Sequence, residues 1–424
     1  MDLKRINLTK IDIHQIVAEH FAGCKETRAL KQWRVIGAEL EPFSPCPEGF
    51  LSAHYDLKVT IEVAIGKTEK LSFFVKCSPV DNPALACYLK EIRSFHKETH
   101  ILKDIVTAIQ QNCPWRTIAP RALCAKGLKL LVMNNVKLHG FAVIKQESGL
   151  LDRSFLQQAL ETLACLHAGS LVVEEKCGKS LPELYPNVLE ENAWVTTPNS
   201  TRMKDVANVI QLYAELVQDS DMWDESHKKI ILSQMPEHFR KIYTFTAPSK
   251  QFRNCLNHGD LWCNNLMFKC ESNGKPTECI LVDYQMSRYV PPAYDINLLL
   301  YLTTSLQMRN EQRDILLAHY YNCFSEILHK NQLDAANILP SNIFLASCEH
   351  YRLAGLIHST LISAEVTLPS VFLEEVFNCS DSTAGFMPEA KVKVCINAFR
   401  SNTTYRNHLL ELMGELFSHI QIKT

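Results

Sequence analysis

His258-Gly259-Asp260-Leu261-Trp262-Cys263-Asn264-Asn265, followed by Leu281-Val282-Asp283-Tyr284-Gln285, sets a possible base and two possible metal ligands around one hairpin. Between its two halves, Leu266-Met267-Phe268-Lys269 and Cys279-Ile280-Leu281-Val282 flank Asn273-Gly274. That dipeptide is a strong hairpin signal, because both residues tolerate positive φ. Folding the chain about it brings Asn265 opposite Asp283, within about one residue of register. An amide oxygen and a carboxylate then converge at one end of the hairpin, and both are hard oxygen donors of the kind Mg²⁺ prefers. Asp260 lies on the loop entering the hairpin, where it can face a hydroxyl and accept its proton.

His-x-Asp-x-x-x-x-Asn, then an Asp closing an apolar run, is the spacing of a phosphoryl-transfer catalytic loop and metal-binding strand. A turn-rich loop using Asp and Asn for local hydrogen bonds accounts equally well for any one of these residues. The three together, on this hairpin, favour the chemical reading. His258 is read as a buried brace for the loop in preference to a proton shuttle.

A second charged pair lies upstream. Lys76 ends an apolar strand, and Glu91 interrupts the apolar stripe Tyr88, Ile92, Phe95 of the helix expected between Pro83 and His100. Each charge is costly to bury alone, so mutual pairing satisfies both. Lys76 is then placed to hold nucleotide phosphates. A solvated Lys at a strand end and a Glu on a helix rim is the bland alternative. No Walker A or Gly-x-Gly-x-x-Gly sequence exists; only Gly49 and Ser52, before a long strand, offer groups to a phosphate. An ordinary turn explains those two as well.

At 424 residues and 46% hydrophobic content, the chain can bury one large core or two moderate ones. Its 44 basic and 46 acidic residues give no general pull toward nucleic acid or anionic membrane. The polar start Met1-Asp2-Leu3-Lys4-Arg5 lacks the apolar core of a signal peptide, and no apolar run approaches the roughly 20 residues of a membrane helix. A cytoplasmic protein with no nucleic-acid or membrane partner is expected. The 16 cysteines include no Cys-x-x-Cys pair and read as reduced, mostly buried thiols, so a zinc site is not expected.

From Leu51 to Val63 the odd positions are apolar and the even ones mostly polar, the signature of a half-buried strand. Leu71, Phe73 and Val75 share one face of the next strand, and Ser72, Phe74 and Lys76 the other. Helical periodicity dominates after about residue 150, as in Leu156, Leu160, Leu163 and His167. The expectation is an α+β chain: residues 1–135 forming an antiparallel sheet plus helix, residues 136–424 a larger, mainly helical lobe.

Gly259 stands where a protein kinase has Arg, and Asp295 follows Asp283 after a short segment with Pro291-Pro292. That leaves little room for a peptide-docking segment and favours a small-molecule acceptor. His-Gly-Asp-Leu-Trp-x-Asn-Asn, Val-Asp-Tyr-Gln-x-Ser-Arg-Tyr and the later Asp295-Ile296 resemble the ecdysteroid kinase-like family, itself related to choline kinases and aminoglycoside phosphotransferases. Val75-Lys76, the helix with Glu91, and Leu166-His167-Ala168 match in order. The resemblance implies a protein-kinase-like bilobal fold, ATP and Mg²⁺, and phosphorylation of an alcohol of an ecdysteroid or similar hydrophobic metabolite or xenobiotic. It makes Asp260 the base and Asn265 and Asp283 metal ligands. Lys76 and Glu91 would hold the phosphates, and Asp295 would support the loop. The chain departs at the connector, where Asn134-Asn135 replaces the family's usual acidic pair; altered nucleotide affinity is expected there. The acceptor pocket is expected in the helical lobe, near Trp262, Tyr294 and segments between Phe344 and Phe386. The competing readings are a catalytically silent relative that binds a hydrophobic small molecule, and a metal-dependent phosphohydrolase using His258, Asp260 and Asp283.

Overall fold

A computed structural model describes residues 3–23, 33–43, 51–79, 81–127, 129–144, 149–378 and 385–420. The N-terminal part is a five-stranded antiparallel sheet of β1 (Arg34–Pro42), β2 (Ala53–Ala64), β3 (Lys67–Cys77), β4 (Ala122–Lys126) and β5 (Leu130–Asn134), in the order β1-β2-β3-β5-β4. Period-two alternation gives the sheet two different faces. Leu57, Val59, Ile61, Phe73, Val75, Leu130 and Val132 point to one side, where Ile13, Ile16 and Val17 of α1 (Lys10–Gly23) close a small core. A reciprocal cap starts α1: the Thr9 N–H donates to Asp12 Oδ2, and the Asp12 N–H to Thr9 Oγ1. Asp12 also accepts from Lys126 Nζ on β4, which ties α1 to the sheet.

The register places Lys76 opposite both His54 and Leu131. Phe73 and Val75 belong to the α1 side, so Lys76 must face the other way, as Leu131 and Met133 do when they join the large helical core.

Between β3 and β4 the chain forms α2 (Pro83–Glu91), α3 (Ser94–His100), a π-helical segment (Ile101–Val106) and α4 (Thr107–Asn112). The single helix expected here is broken at Arg93, whose φ of 52° is left-handed. Asn134 and Asn135 lead out of the sheet. Asn134 Oδ1 accepts from the Arg121 N–H, and Asn135 Oδ1 from the Lys137 N–H at 3.2 Å.

The rest is mainly helical and shares one contiguous core. Its spine is α5 (Arg153–Cys177), capped by Asp152 through the Ser154 and Phe155 N–H groups, with Leu156, Leu160, Leu163 and His167 fully buried. Five short strands interrupt the helices: β6 (Ala142–Val143), β7 (Cys255–Asn257), β8 (Leu266–Cys270), β9 (Pro276–Leu281) and β10 (Arg288–Val290). β6, β8 and β9 form one small sheet, and β7 pairs with β10. The α+β organisation is the one expected. No described helix is long and apolar enough to cross a membrane.

Candidate active site

The β8–β9 hairpin turns at Asn273-Gly274, with Gly274 at φ 84° and Asn273 Oδ1 accepting from the Lys275 N–H. Leu266 pairs with Leu281, which sets Asn265 against Val282, one residue from Asp283. The Val282 N–H donates to the Asn265 carbonyl at 3.0 Å and closes the end of the ladder. Asp283 then leaves the strand at φ 68°, a left-handed conformation disfavoured for a non-glycine residue.

Asp283 meets the sheet through Lys76. Lys76 Nζ donates to Asp283 Oδ1 and to Glu98 Oε2 on α3, each at 2.7 Å. Lys76 and Glu98 are 3% and 1% exposed, so neither can turn to water instead. Burial alone would lower the Lys76 pKa, but the charges of Asp283 and Glu98 more than offset it and hold the ammonium protonated. The partner of Lys76 is therefore Glu98, and the expected pairing with Glu91 is corrected. Glu91 is exposed and accepts from the N–H and hydroxyl of Thr201, at the start of the helix Thr201–Asp219.

Asp260 lies near enough to Asp283 to feel its charge. Asn265 Nδ2 donates to Asp260 Oδ2 at 3.0 Å and to its carbonyl at 2.8 Å, so the amide holds both the carboxylate and the loop. Burial first, then the nearby Asp283 charge, push Asp260 up to about 7.

The loop rests on Asp295, which is fully buried in the first turn of the helix Ala293–Thr303. Its two oxygens accept from the His258 N–H at 2.6 Å and the Gly259 N–H at 2.9 Å, and His167 Nε2 lies 3.3 Å away. His258 is engaged at both ring nitrogens: Nε2 donates to the Val282 carbonyl, and Nδ1 accepts from the Asp260 N–H. Burial lowers its pKa, in keeping with a neutral, bracing ring. Gly259 has φ 80°, and a Cβ there would lie 2.3 Å from the Met286 carbonyl oxygen, so only glycine fits.

Several polar residues around Asp283 have a part that the sequence does not assign them. Gln285 Nε2 donates to Asp283 Oδ2, and Ser94 Oγ on α3 donates to Gln285 Oε1. Lys97, also on α3, donates to Asn192 Oδ1 and the Ser287 carbonyl. Glu98 had one available signal, its place three residues beyond Phe95 in the apolar stripe. Ser52 precedes β2, with its hydroxyl 3.0 Å from His54 Nε2. Gly49 lies outside the described residues. Tyr294 is core: it is fully buried, and its hydroxyl accepts from Arg288 and contacts His358 Nδ1.

The donor set suits a hard divalent cation. Asn265 uses its amide N–H groups on Asp260, which leaves Oδ1 as a donor, and Asp283 supplies carboxylate oxygens. A loop carboxylate, an oxygen pair at a hairpin end and a doubly paired buried lysine thus gather in one place.

The family described as the ecdysteroid kinase-like family matches residues 47–333, and the chain belongs to it, a family of small-molecule kinases. No curated protein matches the chain. Similar solved structures include the GDP and kanamycin complex of APH(2")-IIia, at 11% identity and TM-score 0.37, covering 97% of this chain and 100% of that one. The macrolide 2'-phosphotransferase MphH from Brachybacterium faecium, an apoenzyme, is 10% identical at TM-score 0.36, covering 82% and 94%. A microcompartment-associated aminopropanol kinase is 12% identical at TM-score 0.41, covering 96% and 98%.

Proposed function

We propose that this chain transfers the γ-phosphate of ATP, with Mg²⁺, to an alcohol of an ecdysteroid or similarly hydrophobic metabolite or xenobiotic, acting in the cytoplasm. The observation that carries the reading is the meeting of Lys76, Glu98 and Asp283 from three separate segments, with Asp260 and Asn265 on the adjoining loop. In this reading a nucleotide-binding lobe, residues 1–135, meets a catalytic and substrate-binding lobe, residues 136–424, across the Lys76–Asp283 pair.

Each residue has a definite task. Asp260 receives the proton of the acceptor hydroxyl, and its raised pKa suits proton acceptance near neutral pH. Asn265 fixes that carboxylate while keeping Oδ1 for the cation, and Asp283 adds its oxygens. A bound Mg²⁺ would supply charge neutralisation for the phosphates and orient the γ-phosphoryl group. Lys76 has three ammonium donors, of which Glu98 and Asp283 take two, leaving one for a phosphate oxygen. Gly49 and Ser52, which precede β2 in the sequence, would offer a backbone N–H and a hydroxyl to a phosphate. His258 and Asp295 keep the loop in the shape that presents Asp260.

The test is incubation with ATP, Mg²⁺ and a panel of steroid and xenobiotic alcohols, read by mass spectrometry. A product heavier by one phosphate is expected, and Asp260→Asn should abolish it. Product formed at the wild-type rate by Asp260→Asn would remove Asp260 from its role.

A further inference from the structure

Three metal-ligand atoms gather at a place the phosphoryl-transfer reading does not use. His319 Nε2, on the helix Leu306–Lys330, lies 3.3 Å from Glu161 Oε1 on α5 and 3.9 Å from Cys323 Sγ. All three ligand atoms lie within 4.8 Å of one another. The four-residue spacing puts His319 and Cys323 on one helix face, and that helix packs along α5, so Glu161 arrives from the opposite wall. A tetrahedral ion with bonds of about 2.0–2.3 Å to O, N and S has ligand–ligand edges of roughly 3.3–3.6 Å. The His–Glu edge already has that length, and the His–Cys edge needs to shorten by a few tenths of an ångström.

A single ring nitrogen faces both the carboxylate and the sulfur. As a proton acceptor from Cys323 it would repel Glu161; as a donor to Glu161 it leaves the thiol proton without that nitrogen. One cation at the shared centre satisfies all three lone pairs. The carboxylate is also held from behind. Arg116 pairs with Oε2 and Gln158 Nε2 donates to Oε1 at 3.2 Å, the kind of outer contact that aims a metal ligand. Arg116 further donates to Thr162 Oγ1, which donates to the Cys279 carbonyl on β9.

We propose that Glu161, His319 and Cys323 bind a zinc-class divalent cation, with water as the fourth ligand. Thiolate and imidazole select Zn²⁺ over Mg²⁺, so this site differs in chemistry from the oxygen donors of Asn265 and Asp283. The bound ion cross-links α5 to the helix Leu306–Lys330 and, through Arg116 and Thr162, supports the strand that leads to Asp283. The proposal departs from the expectation of no zinc site, which spacing alone supported, because these ligands come from two helices far apart in the sequence.

The full chain, stripped of metal with a chelator and titrated with Co²⁺, tests this. One equivalent of Co²⁺ should give a thiolate-to-cobalt charge-transfer absorption that Zn²⁺ displaces, and Zn²⁺ should raise the Tm. Cys323→Ser should lose the absorption and the Tm rise, and His319→Gln should weaken Co²⁺ binding. Asp283→Asn should keep the absorption, which separates this site from the phosphate site. No thiolate absorption in the unmodified chain, or the same absorption in Cys323→Ser, would overturn the proposal and leave an Arg116–Glu161–His319 ion-pair network.

Discussion

Replacing Glu98 by Gln tests which carboxylate positions Lys76. The substitution keeps shape and removes charge. Lys76 is 3% exposed, so water cannot take over the lost contact. Breaking a buried ion pair by removing its sole partner costs about 3–5 kcal/mol. Lys76 keeps Asp283 at 2.7 Å, so the relevant quantity is one charge-assisted hydrogen bond, about 1.5–3 kcal/mol. If that stabilisation is needed to hold Lys76 on the phosphates, kcat/KM for ATP falls roughly 10- to 150-fold. The ammonium is also drawn onto Asp283, which works in the same direction by occupying a carboxylate oxygen wanted for the cation. Glu91→Gln is the control. Glu91 is exposed and acts as a cap for Thr201, so its loss should cost at most about 1 kcal/mol of stability and leave kcat/KM for ATP near the wild-type value. Steady-state kinetics on any alcohol that turns over, with affinity for a fluorescent ATP analogue as a second readout, measure both. Equal losses in the two variants, or a Glu98→Gln enzyme within twofold of wild type, would show that Glu98 does not position Lys76 for the nucleotide.

Gly259→Ala should lower the Tm and abolish turnover, because the left-handed backbone costs about 1–2 kcal/mol before the contact with the Met286 carbonyl is relieved; a fully active variant would deny that the loop is fixed against Met286. Asp295→Ala should destabilise the chain by about 1–3 kcal/mol for each of the two buried N–H groups it leaves without an acceptor, read as a drop in the urea midpoint. Burial pushes Asp205 up to about 6, although its oxygens accept from the Phe386 and Met387 N–H groups. The folded chain then binds more protons there than the unfolded one between about pH 4 and pH 6, so this carboxyl's contribution to stability falls as pH rises through that window. Asp205→Asn should flatten the slope relative to wild type in that range; identical slopes would show that Asp205 does not titrate high.

The hairpin was legible because its signals are local. Asn273-Gly274 sets the turn, and the apolar runs on either side set a register that was right to one residue. Lys76 facing away from Phe73 and Val75 was legible from period-two alternation alone. The partner of Lys76 was not. Glu91 and Glu98 both fall near the stripe of Tyr88, Ile92 and Phe95, and an unbroken helix offers either. The left-handed turn at Arg93 ends α2 and starts a new helix whose phase aims Glu98, Lys97 and Ser94 at the segment after Asp283. A backbone break of that kind, at an arginine with no glycine or proline beside it, carries no composition signal. Asn134 and Asn135 present the opposite case. Their departure from the family pattern was visible, but Asn134 accepts from the Arg121 N–H just before β4, and Asn135 accepts from the Lys137 N–H and donates to Ser72 Oγ, uses that depend on neighbours the sequence does not show. The Glu161–His319–Cys323 cluster likewise depends on which helices pack together.

Following label from γ-labelled ATP measures phosphoryl transfer to a small-molecule alcohol directly. With the full chain, Mg²⁺ and the alcohol panel, label should accumulate in an organic phosphate ester and vanish with Asp260→Asn. Label appearing only as inorganic phosphate, or remaining entirely in ATP with every alcohol, would show that the chain is not a kinase of these alcohols.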